Sequence, residues 1–484
     1  MTRKPRDPDA SSKRPYGWSP LLALAATQAL ETGERQALAQ AVDGIRAQFG
    51  VTDAAIGLLP TAAVAFGVLF AIPMGIAADR RTRVNLVAIT VLAWTVGVTG
   101  AGLSQSFLML FIARLLLGSM EAGAPPAVSL LSDWYSVSER AKIMGLFQGG
   151  ALIGGLVGLI GGGVAVGIAG WRAPFFALVP LGLLVGWWVR SLPEPDRGSR
   201  DAEAGRDLRA AEAGHLPGST TSATTTMLSS HELTGVDALA AASIDAETDD
   251  DPATTASTVA NPVGMRDAIT ALRTIPTFWL GLVAIGVAQL LLTALQFWGV
   301  EYFKRVHGLS PAKAGLIAAL LGAGAAAGVL GGGPLANWMT QRGVRASRVY
   351  VVAIGAIGGT LTLMPAFASN RLLVTTPLFV LGGLFLTLPI APAEALLADV
   401  VGADLRGRAG SLRSIVRGAS QTGPLLVGLL SASVGLQRAL VLFTPVYAAG
   451  GILVLFAVRT YDTDHRRVLL ASGLPPPPPR DTSP

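Results

Sequence analysis

The chain has no cysteine, four histidines, and charged side chains at only 14% of its 484 residues. Without cysteine there is no disulfide framework, thiolate nucleophile or Cys/His metal cluster. His215, His231, His307 and His465 fall in loops or the tail. No G-x-x-x-x-G-K-[ST] loop occurs, which argues against an ATP-driven pump. No nucleophile–base pair or metal set can be assembled among the apolar runs, so the chain reads as a non-enzyme without a cofactor. Basic residues are not interleaved with aromatics in a soluble domain, so the net charge of +6 does not point to nucleic acid. The opening MTRKPRDPDASSKRPYGW carries five basic residues but no small-residue cleavage site close behind, and reads as a cytoplasmic tail.

What is present is apolar: 51% of residues are hydrophobic, a composition for a multi-pass membrane protein. Runs of about 20 residues suffice to cross a bilayer. Six occur in the first half, at 19–41, 54–78, 84–104, 107–132, 142–167 and 173–190. Six follow in the second, at 277–303, 313–338, 348–368, 372–398, 410–434 and 439–459. The expectation is an all-α membrane protein with 12 transmembrane helices in two six-helix pseudo-repeats. Residues 1–18 form a tail, 19–190 the first bundle, 191–276 a largely disordered cytoplasmic linker rich in Ser, Thr, Asp and Ala, 277–459 the second bundle and 460–484 a Pro-rich tail. Lys and Arg concentrate in the N-terminal tail and the loops around residues 80–83, 140–142, 342–348, 406–408 and 466–467, which places both termini in the cytoplasm. Arg outnumbers Lys 32 to 5, and with abundant Ala and Gly this suggests a bacterial plasma membrane.

The halves resemble each other. LLSDWYSVSER (130–140) aligns without gaps on LLADVVGADLR (396–406), pairing Asp133 with Asp399 and Arg140 with Arg406; Gly75-x-x-x-Asp79 corresponds to Gly333-x-x-x-Asn337. Two repeats around a linker are the organisation of a secondary transporter that rocks about a midplane site.

GIAADRRTR (75–83) resembles the loop 2–3 signature of the major facilitator superfamily, with Gly75, Asp79, Arg80 and Arg83 in place and Thr82 and Val84 departing from it. A narrower resemblance is to the Spinster branch, carried by GERQ (33–36), FGVTDAAIGLLPTA (49–62), MEAGAPPAVSLLSDWYSVSERAKIMG (120–145), RVHGLSPAKAG (305–315) and VVGADLRGRAGSL (400–412). That resemblance implies an amphipathic or lipid-like substrate such as a lysophospholipid, exchanged by a monomer in the bilayer together with protons. It also implies that an acid–Arg pair on the first helix and a Glu on the fourth are the proton and substrate switch. Here those positions are Glu34, Arg35 and Glu121, with Glu34 standing where the branch usually has Asp. Drug efflux, organic-anion symport and a non-transporting membrane sensor are the competing readings.

The charges themselves support a switch. Each costs about 2.5 to 3.5 kcal/mol at the centre of an inserted helix, so intramembrane ionisable residues mark pathways. Glu31 and Arg35 are four apart and can pair along one face, whereas adjacent Glu34 and Arg35 diverge by about 100°. Glu34 then reads as a surplus carboxylate near Glu31. Arg114, Gly118 and Glu121 share a face of the fourth helix; Glu121 has no acidic counterpart in the second repeat, where Thr387 aligns. Gln296, Trp298 and Glu301 on the seventh helix read as a possible cavity lining, Arg413 as snorkelling to the cytoplasmic surface, and the deeper Arg417 as a partner for an anionic headgroup. The glycine-rich fifth helix permits close packing, and it lacks the Gly-Pro pair common in drug–proton exchangers. PPPPPR (475–480) reads as a disordered end.

Overall fold

The computed structural model describes residues 16–136, 139–200, 206, 265–402 and 405–471. The expected linker, apart from its two ends and residue 206, and the PPPPPR segment lie outside the described residues. In the first half run α1 (Ser19–Phe49), α2 (Asp53–Arg80), α3 (Arg83–Leu103), α4 (Phe107–Leu117), α5 (Ser119–Trp134), α6 (Arg140–Ala169) and α7 (Ala173–Arg190). The short α8 (Met265–Arg273) leads into α9 (Pro276–His307), α10 (Pro311–Gln341), α11 (Ser347–Ala368), α12 (Leu372–Thr387) and α13 (Ile390–Val400). The chain continues as α14 (Arg406–Ser420), α15 (Gly423–Val434), α16 (Leu436–Phe443), α17 (Pro445–Leu455) and, beyond the last span, α18 (Tyr461–Ala471).

Twelve spans result once α4 and α5, α12 and α13, α14 and α15, and α16 and α17 are each taken as one broken span. Ten are long and apolar enough to cross a bilayer by composition alone. The other two are α1, with Glu31, Glu34, Arg35, Asp43 and Arg46, and α14, with Arg408, Arg413 and Arg417. At about 1.5 Å per residue, the 31 residues of α1 reach about 46 Å, well beyond a hydrocarbon core of about 30 Å. Its last turns, carrying Asp43 and Arg46, therefore extend past the hydrocarbon. Leu152, Ile168, Leu330 and Leu373 lie exposed on the outer surface, as lipid-facing side chains do.

Small residues set the helix pairing. In α6, Gly150, Gly154 and Gly158 lie against the backbone of Ala25, Ala29 and Gly33 in α1. The second half repeats the device where Gly324, Gly328 and Gly332 of α10 meet Val380, Leu384 and Leu388 in and just beyond α12. Without an oil–water difference between helices in lipid, close backbone approach is the main source of association.

Loops 50–52 and 308–310, each opened by a left-handed glycine (Gly50, φ 64; Gly308, φ 64), mark the end where the two halves touch. There Gly57 and Gly428 of one seam face the backbones of Pro424 and Asp53, and Gly163 and Gly315 of the other face Pro311 and Leu159. Thr61 Oγ1 donates to the Gln421 carbonyl at 3.1 Å. Hydrogen bonds and ion pairs between the halves cluster at this end, within about 12 Å of it along the helices. At the end bearing residues 80–83 and 342–348 no glycine seam of this kind joins the halves among the described residues, and that end is the open one.

Candidate functional site

The central cavity lies between the halves and is lined by both. Its polar contributors are Glu31, Thr32, Glu34, Arg35 and Gln36 of α1, Trp94, Arg114, Glu121, Thr293, Gln296 and Gln421. The fourth span supplies Arg114 and Glu121 from either side of a break at Gly118, where a Cβ would fall under 3.0 Å from the Ala63 carbonyl of α2. The break puts Glu121 in the first turn of α5, where the helix dipole favours a carboxylate.

The ion pairs cross between spans. Arg35 Nη2 binds Glu31 Oε1 at 2.6 Å, the pair expected from their spacing, and the same nitrogen contacts Glu121 Oε1. Glu34 pairs with Arg114 instead of lying as a surplus beside Glu31. The expected Arg114–Glu121 alignment on one face thus becomes two bridges from α1 to the fourth span. A rotation of about 100° between adjacent residues sends Glu34 to one cation and Arg35 to another anion. Exposure separates the bridges. Glu34 and Arg114 are 2% and 1% exposed, whereas Glu31, Arg35 and Glu121 are 15%, 37% and 33% exposed. Three carboxylates pair directly with two guanidiniums, and the charge of Arg417 also bears on Glu121. In the accessible trio two carboxylates share Arg35.

Three polar atoms of cavity-lining side chains have no partner among the described residues: Gln36 Oε1, Trp94 Nε1 and Arg114 Nε. Gln296 lines the cavity as expected. Trp298 does not; it is fully buried, and its Nε1 donates to the Pro424 carbonyl at 2.8 Å. Arg417 is exposed one turn from Gln421, with no hydrogen bond or ion pair among the described residues. Arg413, expected to snorkel, pairs with Glu394. The repeat alignment offered no signal for Glu394, because it pairs that position with Val128. Thr387 donates to the Ala325 carbonyl at 2.6 Å and takes no part in the charge cluster.

At the open end, Arg83 pairs with Asp133, with Nε on Glu194 at 2.9 Å, and is only 4% exposed. It is thus an internal residue and not a grip on the membrane edge. Residues 191–200, the start of the expected linker, fold back here: Arg83 Nη2 donates to the Pro195 carbonyl and Gly198 N–H to Asp133. The second half repeats the pattern, Arg348 pairing with Asp399, on which Tyr461 Oη of α18 donates at 2.6 Å. Arg348 stands at the start of the third span of its repeat, as Arg83 does in the first, but the ungapped repeat register from Gly75 and Gly333 sets Gln341 opposite Arg83 and gave no signal for it. Arg140 donates to the Ser132 carbonyl at 3.2 Å. Arg80 and Asn337 are exposed and Gly333 has open space around its Cα. The side chains of Gly75, Asp79 and Arg406 lie outside the described residues.

His465 stacks on Tyr461 and places Nδ1 3.0 Å from the Asp399 carbonyl. Burial and the charge of Arg348 hold it below its ordinary value of 6.5. A histidine depressed in the folded state binds fewer protons there, so its contribution is complete above 6.5 and is lost as pH falls below it. Amide exchange in α18 is expected to speed up from about pH 7.5 to about pH 5.5 beyond the intrinsic rate change, and His465→Phe to remove that excess. An unchanged excess in the variant would show that another group governs the helix.

A family model described as the Major Facilitator Superfamily matches residues 24–422. The chain is 23% identical over 450 residues to the probable L-galactonate transporter of Escherichia coli K12, covering 90% of this chain and 87% of that protein. It is 30% identical over 168 residues to the cis,cis-muconate transport protein of Acinetobacter baylyi, 33% of this chain and 38% of that one. Among solved structures, a bacterial homolog of the human lysosomal transporter Spinster, inward-facing and unoccupied, superposes with a TM-score of 0.68 at 20% identity, covering 96% and 100% of the two chains. With twelve spans in two repeats, a charged cavity between them and the family match over most of its length, the chain belongs to the major facilitator superfamily of membrane transporters.

Proposed function

We propose that this transporter moves a small organic anion together with a proton by alternating access across a bacterial plasma membrane, with its termini in the cytoplasm. The observation that carries this reading is the cavity lining: two guanidiniums, amides from Gln36, Gln296 and Gln421, and N–H donors on Trp94 and Arg114 that have no partner among the described residues. Buried polar groups discriminate strongly for a ligand that completes their hydrogen bonds. Charge balance supports the coupling. An anion entering beside two carboxylates that share one guanidinium is opposed in low dielectric, and a proton on Glu31 or Glu121 removes one of those negative charges. Protonation also frees Arg35 from one carboxylate, leaving donors for the substrate. The two relatives above, named for galactonate and muconate, carry carboxylate cargo, which accords with the reading.

A second reading keeps the amphipathic, lipid-like substrate. It is favoured by a wholly apolar groove on the other face of α1, lined by Leu30, Gly33, Ala37, Val157, Leu178 and Leu181, which suits an acyl chain. Proteoliposomes separate the two. Uptake of galactonate or muconate, driven by an inward proton gradient and abolished by a protonophore, is expected of the wild type. Glu31→Gln and Glu121→Gln are expected to retain substrate exchange but lose gradient-driven accumulation. Movement of lysophosphatidylglycerol with no anion uptake would select the lipid reading, and uptake indifferent to the gradient would remove the proton.

A further inference from the structure

We propose that Asp43, Asp53, Glu301, Lys304 and Arg305 form the latch that holds the closed end shut, with Glu301 the buried residue that positions both cations. The network joins the halves where loops 50–52 and 308–310 meet. Arg305 grips Asp53 in bidentate fashion, Nη1 to Oδ2 at 2.7 Å and Nη2 to Oδ1 at 3.0 Å, while its Nε reaches Glu301 at 2.5 Å. Lys304 Nζ uses all three of its donors: on Asp43 at 2.7 Å, on Glu301 at 2.8 Å and on the Gln40 carbonyl at 3.3 Å. Ser431 Oγ donates to Asp53 at 2.5 Å, and Arg46 stands 3.6 Å from it. Asp43, Asp53 and Arg46 belong to the first half; Glu301, Lys304, Arg305 and Ser431 belong to the second.

A permanent clamp and a reversible latch differ in what each side keeps on separation. With Arg46 counted, three acids balance three bases, so the closed network is neutral and tolerates burial. When the halves part, Lys304 and Arg305 keep Glu301, and Asp53 keeps Arg46. The second half is left with one excess positive charge and the first with one excess negative charge. Glu301, fully buried, paired with both cations of its own half and with Asp43 of the other half against its carboxyl, is what prevents two bare cations from facing each other on the open seam. The seam beside the network sets glycine against backbone at Gly57 and Gly428, so at those points backbone meets backbone with no side chain between. The same helix, α1, carries the central charge cluster and the latch, with Arg35 and Asp43 about 12 Å apart along it. A change at the proton site therefore reaches the latch through one rigid element.

Because the chain has no native cysteine, introduced cysteines are its only spin-labelling sites. One pair, Ala47→Cys with Lys313→Cys, reports on the closed end; a second, Asn85→Cys with Arg345→Cys, reports on the open end. All four positions are exposed and outside the latch. Wild type is expected to give a single short distance for the first pair. Glu301→Gln, which keeps size and shape, and Asp43→Asn, at a half-exposed site, are each expected to add a longer distance. Its population should rise roughly tenfold or more for Glu301→Gln and by less for Asp43→Asn. The open-end pair should shorten to the same extent in the same samples, which general loosening would not produce. Unchanged distances in both variants, or lengthening at the closed end without shortening at the other, would overturn the latch.

Discussion

Replacing Arg114 by leucine is expected to lower the stability of the folded transporter by about 3 to 5 kcal/mol, the range for removing one partner of a buried ion pair. Glu34 is 2% exposed, and Arg114 is its partner among the described residues. The variant leaves a carboxylate in a low-dielectric interior with nothing to satisfy it, and it must either take up a proton or draw water inward. Pairs between membrane helices are often worth less, about 0.6 kcal/mol on average, because polar groups find other partners when the helices separate. That discount belongs to pairs whose remaining member can find another partner, and Glu34 has Arg114 as its partner among the described residues. The comparison that decides is Glu34→Leu/Arg114→Leu, which removes both charges and should recover most of the loss, since a buried pair replaced by apolar residues is often neutral. Unfolding in detergent, followed by circular dichroism, measures both variants. A double variant no more stable than the single one would show that Arg114 contributes through packing and not through its charge. On the proposed proton-coupled reading the two bridges then have separate tasks: the buried one fixes α1 to the fourth span, and the accessible one exchanges protons.

The division was only half legible in the sequence. Glu31 and Arg35 sit four apart on one helix, so their pairing follows from helical geometry and appears as expected. Which acid of α1 meets which base of the fourth span depends on the rotation of two helices and on a break at Gly118, and neither is encoded in spacing. The latch was obscured differently. Lys304, Arg305 and Arg46 carry no signal of it, because nothing in a single sequence shows that residues some 250 positions apart meet across a seam. Asp133 and Asp399, by contrast, were found by internal repetition, and both pair with an arginine at the start of the third span of their repeat. Repeats, apolar runs and i,i+4 pairs are local or self-referential signals; contacts between bundles are neither.

The remaining large effect concerns packing. Gly154→Ala is expected to cost about 3 kcal/mol or more and to reduce the yield of monodisperse protein sharply. A Cβ at 154 would lie under 3.0 Å from the Ala29 carbonyl oxygen, its carbon and the Ala29 Cα, all backbone atoms of α1. A crowded side chain can change rotamer; a crowded helix backbone must move as a body, and with it the neighbouring contacts of Gly150 and Gly158. The control lies in the same helix. Gly145 has nothing within 4 Å of its Cβ position, so Gly145→Ala should be tolerated and, through helix propensity alone, gain about 0.5 to 1 kcal/mol. Equal behaviour of the two variants in thermal unfolding and size-exclusion profiles would mean that α1 and α6 are not held by backbone contact. Opposite behaviour would link this packing directly to transport. The face of α1 turned away from α6 carries the charges, so a shift of α1 away from α6 drives Glu34 and Arg35 against the fourth span and disturbs their pairing with Arg114 and Glu121 together with the seam.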